Sequence, residues 1–246
     1  MTDTITNNFL KKVSNKPILL VGPTASGKSK LAMSLAIKLE RQIVNADSLQ
    51  VYNNWRILTA RPTSEDEAII QHHLYGHKAP DEEYSVGHWL RELSGILNTN
   101  KNLIIVGGTG LYFTALTEGL VNIPKISNKV KTMGKKKLND MGVASLLKDL
   151  DKETLENLDT KNPMRVVRAW EVFQETGKSL KRWHSETEPS ILPLSECHPL
   201  VINPGKADLD NKIRRRFEKM IKIGALDEAR RNMVGWNENS IASKAI

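Results

Sequence analysis

The chain has 246 residues, of which 39% are hydrophobic and 26% are charged, close to the average of folded globular proteins. A single cysteine, Cys197, excludes an internal disulfide and a cysteine-rich zinc site. Every apolar stretch is far shorter than the ~18 residues that a membrane span needs. Residues 1–12 also lack the apolar stretch of a signal peptide, so we expect a cytoplasmic protein.

Basic residues are concentrated in the second half of the chain. Residues 1–120 carry 12 basic and 11 acidic groups, whereas residues 121–246 carry 24 and 17, a net charge of +7. A basic half joined to a nearly neutral half indicates a polyanionic partner such as nucleic acid. The alternative interpretation is a lysine-rich solvated surface.

Short apolar runs that end in glycine or polar residues alternate with helical patterns over the first half of the chain. Predicted strands cover residues 17–21, 43–46 and 103–106, and predicted helices cover residues 28–40 and 86–97. This alternation predicts an α/β fold with a parallel sheet flanked by helices. Ligands of such sheets bind beyond the carboxyl ends of the strands, where the motifs described below lie.

The pattern changes near Val121. Residues 140–182 read as helical throughout, with Pro163 at a helix start, and residues 185–194 read as a returning linker. We therefore predict a helical domain, residues 123–190, inserted into a core formed by residues 1–122 and 191–246. A last amphipathic helix is expected over residues 214–233, with a break at Gly224.

Residues 22–29, GPTASGKS, match the phosphate-binding loop pattern G-x-x-x-x-G-K-[ST] between a predicted strand and a predicted helix. Glycines let successive backbone N–H groups face an anion at the helix N-terminus. Lys28 can reach terminal phosphates, and the Ser29 hydroxyl can bind magnesium. The core is thus expected to be P-loop NTPase-like, with a phosphate or pyrophosphate site.

The end of the strand at 103–106 argues against nucleotide hydrolysis. A P-loop nucleotidase usually holds its magnesium with an acidic residue at the end of a second core strand. Here the strand is followed by Gly107, Gly108, Thr109 and Gly110, without a carboxylate. Thr109 offers a hydroxyl and backbone amides to a ligand, or it belongs to an ordinary tight turn.

Asp47 directly follows the second predicted strand and should face the same crevice as the P-loop. A carboxylate beside bound pyrophosphate suits a general base or a substrate anchor. A helix N-cap is the equally open alternative for this residue.

The histidines at positions 72, 73 and 77 lack the spacing of a zinc site, so structural or substrate-adjacent roles are favoured. The five tryptophans are scattered, and we expect core positions for most of them.

The ordered motifs GPTASGKS, NADSLQVY, LTARPT, HHLYG, YSVGHW, GGTGLYFTAL, NPMRVVRAWEVFQETGKSL and RRFEKMIKIGALDEAR resemble the tRNA dimethylallyltransferases, also called tRNA isopentenyltransferases. The resemblance extends from Pro17 to Ile246. It implies that the P-loop binds the pyrophosphate of dimethylallyl diphosphate, which accounts for the missing acidic strand end.

The resemblance also implies a mechanism: transfer of the dimethylallyl group to N6 of the tRNA adenosine just 3′ of the anticodon. The diphosphate site would comprise Gly22, Thr24, Ala25, Ser26, Gly27, Lys28 and Ser29, with Mg²⁺ on Ser29. Asp47 would be the general base, Thr109 would position the reaction centre, and Arg216 would neutralise the departing pyrophosphate. A flipped-out adenosine is expected because a stacked amine cannot reach a buried electrophile.

Further residues match the family's tRNA-contacting segments. The target base would be held by Asp47, Ser48, Leu49, Gln50 and Thr109. In the helical insertion, Lys131 stands where the family usually has an arginine. The remaining matches form one segment that usually begins with glutamine rather than methionine: Met164, Arg165, Val166, Val167 and Arg168.

The chain stops inside a family motif that begins at residues 244–246, and family members generally continue further. One alternative is therefore an inactive tRNA-binding fragment. The P-loop and Asp47 would also fit a small-molecule kinase, and prenyl transfer to free adenine nucleotides is a related alternative. The resemblance favours a monomeric tRNA-modifying transferase.

Overall fold

The computed structural model describes residues 13, 15–234, 236–237 and 242–243. These residues form two compact units, one within Met1–Glu118 and Ile191–Ile246 and the other within Gly119–Ser190. We call them the core unit and the helical unit. The predicted family motif at 244–246 lies outside the described residues.

A five-stranded parallel sheet forms the centre of the core unit. Its strands, in chain order, are β1 (Ile18–Val21), β2 (Gln42–Asn45), β3 (His72–His73), β4 (Leu103–Gly107) and β5 (His198–Val201). The spatial order is β3-β2-β4-β1-β5, and every pairing is parallel. Because all strands point the same way, β1, β2 and β4 end at one edge, which is the edge that carries the P-loop, Asp47 and Thr109.

The described part of the core unit contains six helices: α1 (Lys28–Leu39), α2 (Ser64–Ile69), α3 (Val86–Thr99), α4 (Gly110–Glu118), α10 (Lys206–Lys222) and α11 (Ala225–Met233). The apolar strands alternate between two faces. Leu19, Val44 and Ile105 pack with Trp89 and Leu93 of α3, whereas Leu20, Ile43 and Ile104 pack with Leu35 of α1. Continuous apolar strands therefore bury both faces of the sheet, as parallel sheets require.

The helical unit contains the other five helices: α5 (Asn128–Met141), α6 (Val143–Leu147), α7 (Lys152–Asn157), α8 (Pro163–Thr176) and α9 (Leu180–Ser185). Its own apolar cluster includes Leu146, Val166 and Trp170. Side chains of Asp151, Asn162 and Ser179 accept hydrogen bonds from backbone N–H groups at the starts of α7, α8 and α9. These caps divide a segment that we predicted to be helical throughout, so that prediction was wrong at the interruptions.

The sequence analysis did not predict α2, α4, β3 or β5 of the core unit. α2 begins at a capping box formed by Thr63 and Asp66 in a stretch that reads as a loop. β5 contains Pro199, which is tolerated because β5 is an edge strand paired only with β1 in the sheet. Within the described residues, no helix is long and apolar enough to cross a membrane.

Candidate active site

The P-loop connects the end of β1 to the start of α1. Ala25 (φ 60°) and Gly27 (φ 94°) adopt left-handed backbone conformations that fold the loop back on itself. Gly27 precedes α1 without providing a side-chain cap, so the first backbone N–H groups of the helix are available to an anion. Lys28 Nζ donates to the carbonyl of Pro23 at 2.7 Å, which holds the ammonium group over the loop.

Ser26 contributes a second polar group to this loop. Its side chain is 8% exposed, and its Oγ has no hydrogen-bond partner within the described residues. A buried hydroxyl that lacks a partner is costly unless a ligand or water satisfies it. Together with the uncapped helix N-terminus, the Ser26 hydroxyl gives the loop donors that suit an anion.

Asp47 lies just beyond β2 and is held by the buried Asn45. The Asn45 side chain accepts from the Asp47 N–H at 2.9 Å and donates to the Asp47 carbonyl at 2.9 Å. The carboxylate Oδ1 accepts from the N–H of Leu49 at 3.0 Å. This is a local turn around residues 47–50 and not a helix cap, because no helix follows.

Thr109 lies next to the Asp47 segment. Its Oγ1 accepts from the N–H of Ser48 at 3.1 Å, and its own N–H donates to the carbonyl of Ala46 at 3.3 Å. A Cβ added at Gly107 would lie 2.0 Å from that same carbonyl oxygen. The ends of β2 and β4 therefore approach closely because residue 107 lacks a side chain.

Arg216, on α10, faces the P-loop and Asp47. Burial lowers the pKa of Arg216, and the negative charge of Asp47 opposes that shift. Burial likewise lowers the pKa of Lys28, with Asp47 raising it and Arg216 lowering it further. One carboxylate and two partly desolvated cations thus share one electrostatic environment.

A cavity of about 690 Å³ opens beside the P-loop within the core unit. It is lined by Ala25 through Lys30 of the loop and by Arg216. Its lining includes four further cations that the sequence analysis missed: Arg56, Arg61, Lys212 and Lys219. Lys212, Arg216 and Lys219 recur at helical spacing along α10, which is the signal that could have identified this face. Asp47 and Thr109 are not among the cavity-lining residues.

The site suits magnesium carried by a substrate phosphate. The described residues contain no cluster of three or more His, Cys, Asp or Glu side chains that could hold a metal ion. Magnesium commonly keeps several waters and takes few protein ligands when phosphates supply the rest. Ser29, beside an oxyanion loop, fits that pattern.

Gln50 extends the Asp47 segment into the neighbouring loop. Its side-chain amide donates to the carbonyls of Thr59 at 2.7 Å and Ala60 at 3.2 Å. Leu49 instead leaves 41% of its surface exposed. The segment thus has one anchored and one exposed side chain beside Asp47.

The three histidines have separate partners. His72 Nδ1 contacts the Ile70 carbonyl, His73 Nε2 contacts Gln42, and His77 Nε2 contacts Glu92. His72 also lines the cavity. Each ring thus has a protein hydrogen-bond partner of its own.

In the helical unit, Lys135 and Lys136 are exposed, whereas Lys131 is half-buried. Lys137 pairs with Asp149 and lies 5.8 Å from the Trp170 ring centroid. Met164, Arg165 and Arg168 are exposed on α8, but Val166 and Val167 are buried in the unit's core. The two valine side chains therefore pack in the core of the helical unit.

Comparisons with known proteins agree with this geometry. A family model described as IPP transferase matches residues 50–246. The chain is 47% identical to a tRNA dimethylallyltransferase of Cereibacter sphaeroides over 95% of this chain and 74% of the relative. It is 45% identical to one of Paracoccus denitrificans, covering 94% of this chain and 78% of the relative.

Solved structures give the same assignment. The full-length tRNA isopentenylpyrophosphate transferase from Bacillus halodurans aligns with a TM-score of 0.60 and 26% identity, covering 94% of this chain and 74% of that protein. A eukaryotic dimethylallyltransferase described as acting on tRNA aligns with a TM-score of 0.75 and 26% identity. The alignment covers 92% of this chain and 57% of that protein. The predicted family and P-loop NTPase-like fold are confirmed: the chain belongs to the IPP transferase family, that of the tRNA dimethylallyltransferases.

Proposed function

We propose that this chain transfers the dimethylallyl group of dimethylallyl diphosphate to N6 of the tRNA adenosine just 3′ of the anticodon. The observation that carries the proposal is the shared environment of Lys28, Arg216 and Asp47 at the P-loop. Two cations suit a departing diphosphate, and one carboxylate suits the amine that replaces it.

The diphosphate binds to the P-loop backbone, with Gly22 and residues 24–29 around it. Lys28 and Arg216 stabilise the charge that develops as the allylic carbon–oxygen bond breaks. Ser29 would hold Mg²⁺, which would supply additional positive charge to the leaving diphosphate. The bonding electrons leave with the diphosphate, and no hydrolysis is required.

Asp47 accepts the proton that N6 loses as it bonds to the allylic carbon. The Leu49 N–H orients Oδ1, and we assign the second carboxylate oxygen to the substrate proton. Thr109 holds the Asp47 segment through Ser48, and we assign it the positioning of the reaction centre. The exposed Leu49 and the anchored Gln50 form the remainder of the base-holding segment.

We propose tRNA contacts on the helical unit as well. Lys131, Lys135, Lys136, Arg165 and Arg168 supply positive charge for phosphates, and Met164 is exposed beside them. The buried Val166 and Val167 are left out of this proposal. We retain the predicted helical insertion, residues 123–190, as a tRNA-binding domain.

The test incubates the chain with Mg²⁺, labelled dimethylallyl diphosphate and either unmodified tRNA or free AMP. We expect label in tRNA and none in AMP. Label in AMP alone would show that the acceptor is a free nucleotide and not tRNA. Binding of tRNA without label would indicate an inactive fragment, and phosphate transfer from ATP would indicate a kinase.

Two further statements remain predictions. We expect a cytoplasmic location, because the substrate is tRNA, and a monomer. Sedimentation of the purified chain tests the second.

A further inference from the structure

Glu228, on α11, is a buried carboxylate outside the reaction described above. Glu228 is only 5% exposed. Oε1 accepts from the N–H groups of Arg56 at 2.7 Å and Ile57 at 2.9 Å, and Oε2 accepts from Ile57 at 3.0 Å and Leu58 at 2.8 Å. Three successive backbone donors thus converge on one carboxylate, an arrangement suited to a negative charge.

The segment that Glu228 binds is a tight turn, residues 55–60, which we call the 55–60 turn. Thr59 Oγ1 donates to the Trp55 carbonyl at 2.7 Å, and the Ala60 N–H donates to the Ile57 carbonyl at 2.9 Å. Glu228 therefore satisfies donors that the turn itself leaves without backbone acceptors.

The 55–60 turn lies between the two halves of the proposed reaction. Arg56, Ile57 and Ala60 line the cavity beside the P-loop. The carbonyls of Thr59 and Ala60 accept from the Gln50 side chain of the base-holding segment. Any shift of the turn would move both the cavity wall and the anchor of Gln50.

A second contact independently ties α11 to the same stretch of chain. One helical turn after Glu228, Asn232 accepts from Asn54 Nδ2 at 2.9 Å and donates to the Asn54 carbonyl at 3.0 Å. The helix is joined through Gly224 to α10, which carries Arg216. The contacts of α11 therefore link α10, which carries Arg216, to the 55–60 turn, and the turn in turn holds Gln50 in the segment that includes Asp47.

We propose that Glu228 is a positioning residue that holds the 55–60 turn, and through it the cavity wall and Gln50, in register with Arg216. This role rests on the proposed prenyl transfer for its kinetic readout. Its structural readout, the protection of three backbone amides, is independent of any substrate.

Glu228→Gln is the informative substitution because it preserves shape. The carboxamide keeps one acceptor oxygen but directs an NH₂ group at a backbone donor, which leaves at least one buried N–H unsatisfied. Asp227→Asn is the matched control, since Asp227 is the adjacent, exposed carboxylate and its contact is with Arg230.

The experiment compares wild type, Glu228→Gln and Asp227→Asn in hydrogen exchange and in steady-state prenyl transfer. In Glu228→Gln we expect faster exchange at the amides of residues 56–58 with unchanged protection of the central strands. We also expect KM for dimethylallyl diphosphate to rise roughly tenfold, the scale of a small misplacement at a reacting centre. Asp227→Asn should match wild type in both measurements.

Unchanged exchange at residues 56–58 in Glu228→Gln would overturn the proposal. So would fast exchange there accompanied by wild-type KM values for both substrates, because the turn would then be uncoupled from the site. If Glu228→Gln does not fold, Glu228→Asp replaces it: this shorter carboxylate should give intermediate exchange and an intermediate KM. Wild-type KM in that variant despite faster exchange would also reject the role.

A wild-type chain that makes no product would reject the proposed function and not the role of Glu228. In that case the affinity for inorganic pyrophosphate with Mg²⁺ becomes the readout. Weaker binding by Glu228→Gln than by Asp227→Asn would support the positioning role, and equal binding would reject it.

Discussion

Asp47 has separate partners for its backbone and its carboxylate. Asn45 binds the backbone N–H and carbonyl of Asp47, while the Leu49 N–H binds the carboxylate Oδ1. Removal of the carboxylate should therefore leave the backbone path of this segment largely in place. This separation allows a chemical role for the side chain to be tested without loss of the fold.

We predict that Asp47→Ala lowers turnover by at least ~100-fold, the usual contribution of a general base. Affinity for tRNA should change little, because one half-buried carboxylate is lost from a largely basic interaction. Single-turnover prenyl transfer and a tRNA binding titration measure the two effects. Residual turnover near the wild-type rate would remove Asp47 from the proton-transfer step.

At the scale of elements, α10 presents a row of cations to the cavity. Lys212 and Lys219 flank Arg216 at helical spacing, and all three line the cavity, whereas Lys222 of the same helix does not. The row adds positive charge beyond that of the P-loop lysine, Lys28. These cations can attract a phosphate-bearing ligand at long range and can also contact its phosphates directly.

We predict that Lys212→Ala weakens binding of Mg²⁺–pyrophosphate by about fivefold, or about 1 kcal/mol, as expected for one partly exposed charge. Isothermal titration calorimetry at fixed ionic strength provides the measurement. Lys222→Ala is the matched control, because it removes the same charge from the same helix outside the cavity. Equal losses in the two variants would mean that only net charge matters.

A second element-scale prediction concerns pH. Hydrogen bonds from Lys137 and Trp170 lower the pKa of Asp149, so ionised Asp149 stabilises the folded helical unit. That contribution is complete above the ordinary Asp pKa of about 3.9 and is lost as pH falls through the lower pKa of the folded state. Asp149→Asn should therefore be less stable than wild type near pH 6.

The difference between wild type and Asp149→Asn should shrink progressively in acid. Urea unfolding monitored by tryptophan fluorescence between about pH 6 and 3 measures it. A difference that is constant across this range would show that the charge of Asp149 contributes nothing and that only its shape matters.

The sequence predicted those elements whose signals are local. The strands β1, β2 and β4 are apolar runs closed by polar or glycine residues, and they appear within one or two residues of expectation. β5 was missed because its sequence, His-Pro-Leu-Val, carries no strand alternation, and only pairing with β1 makes it a strand. The role of Glu228 was equally unpredictable, since its partners lie about 170 residues away along the chain.

The residues of the candidate site likewise differ in whether a local sequence signal identifies them. The P-loop, Asp47 and Thr109 could be located because each follows a predicted strand. Arg56 and Arg61 could not, because their place in the cavity depends on how the 55–60 turn is held. Burial of Val166 and Val167 was readable in part, since both are apolar residues on a helix with polar neighbours.

At the scale of the whole molecule, charge is divided unevenly. The excess of positive charge belongs to residues 121–246, which include most of the helical unit and the cation row of α10. Within the helical unit the lysines are not equivalent. Lys135 and Lys136 face solvent, whereas Lys137 is occupied by Asp149 and Trp170.

We predict that the double substitution Lys135→Ala with Lys136→Ala weakens tRNA binding and lowers the slope of log affinity against log salt by roughly 2. Filter binding from 50 to 200 mM salt, a range chosen for its strong effect on phosphate contacts, gives the slope. Lys137→Ala should instead lower thermal stability. An unchanged slope in the double variant would assign both lysines to an ordinary solvated surface.

The close packing around Gly107 limits which residues this position can accept. Nucleotide-hydrolysing relatives of the P-loop fold place an acidic residue at the end of a second core strand. Here any side chain at residue 107 would collide with the carbonyl of Ala46, because its first carbon would lie only 2.0 Å from that oxygen. A single codon change at residue 107 therefore cannot introduce an acidic side chain there unless the ends of β2 and β4 move apart.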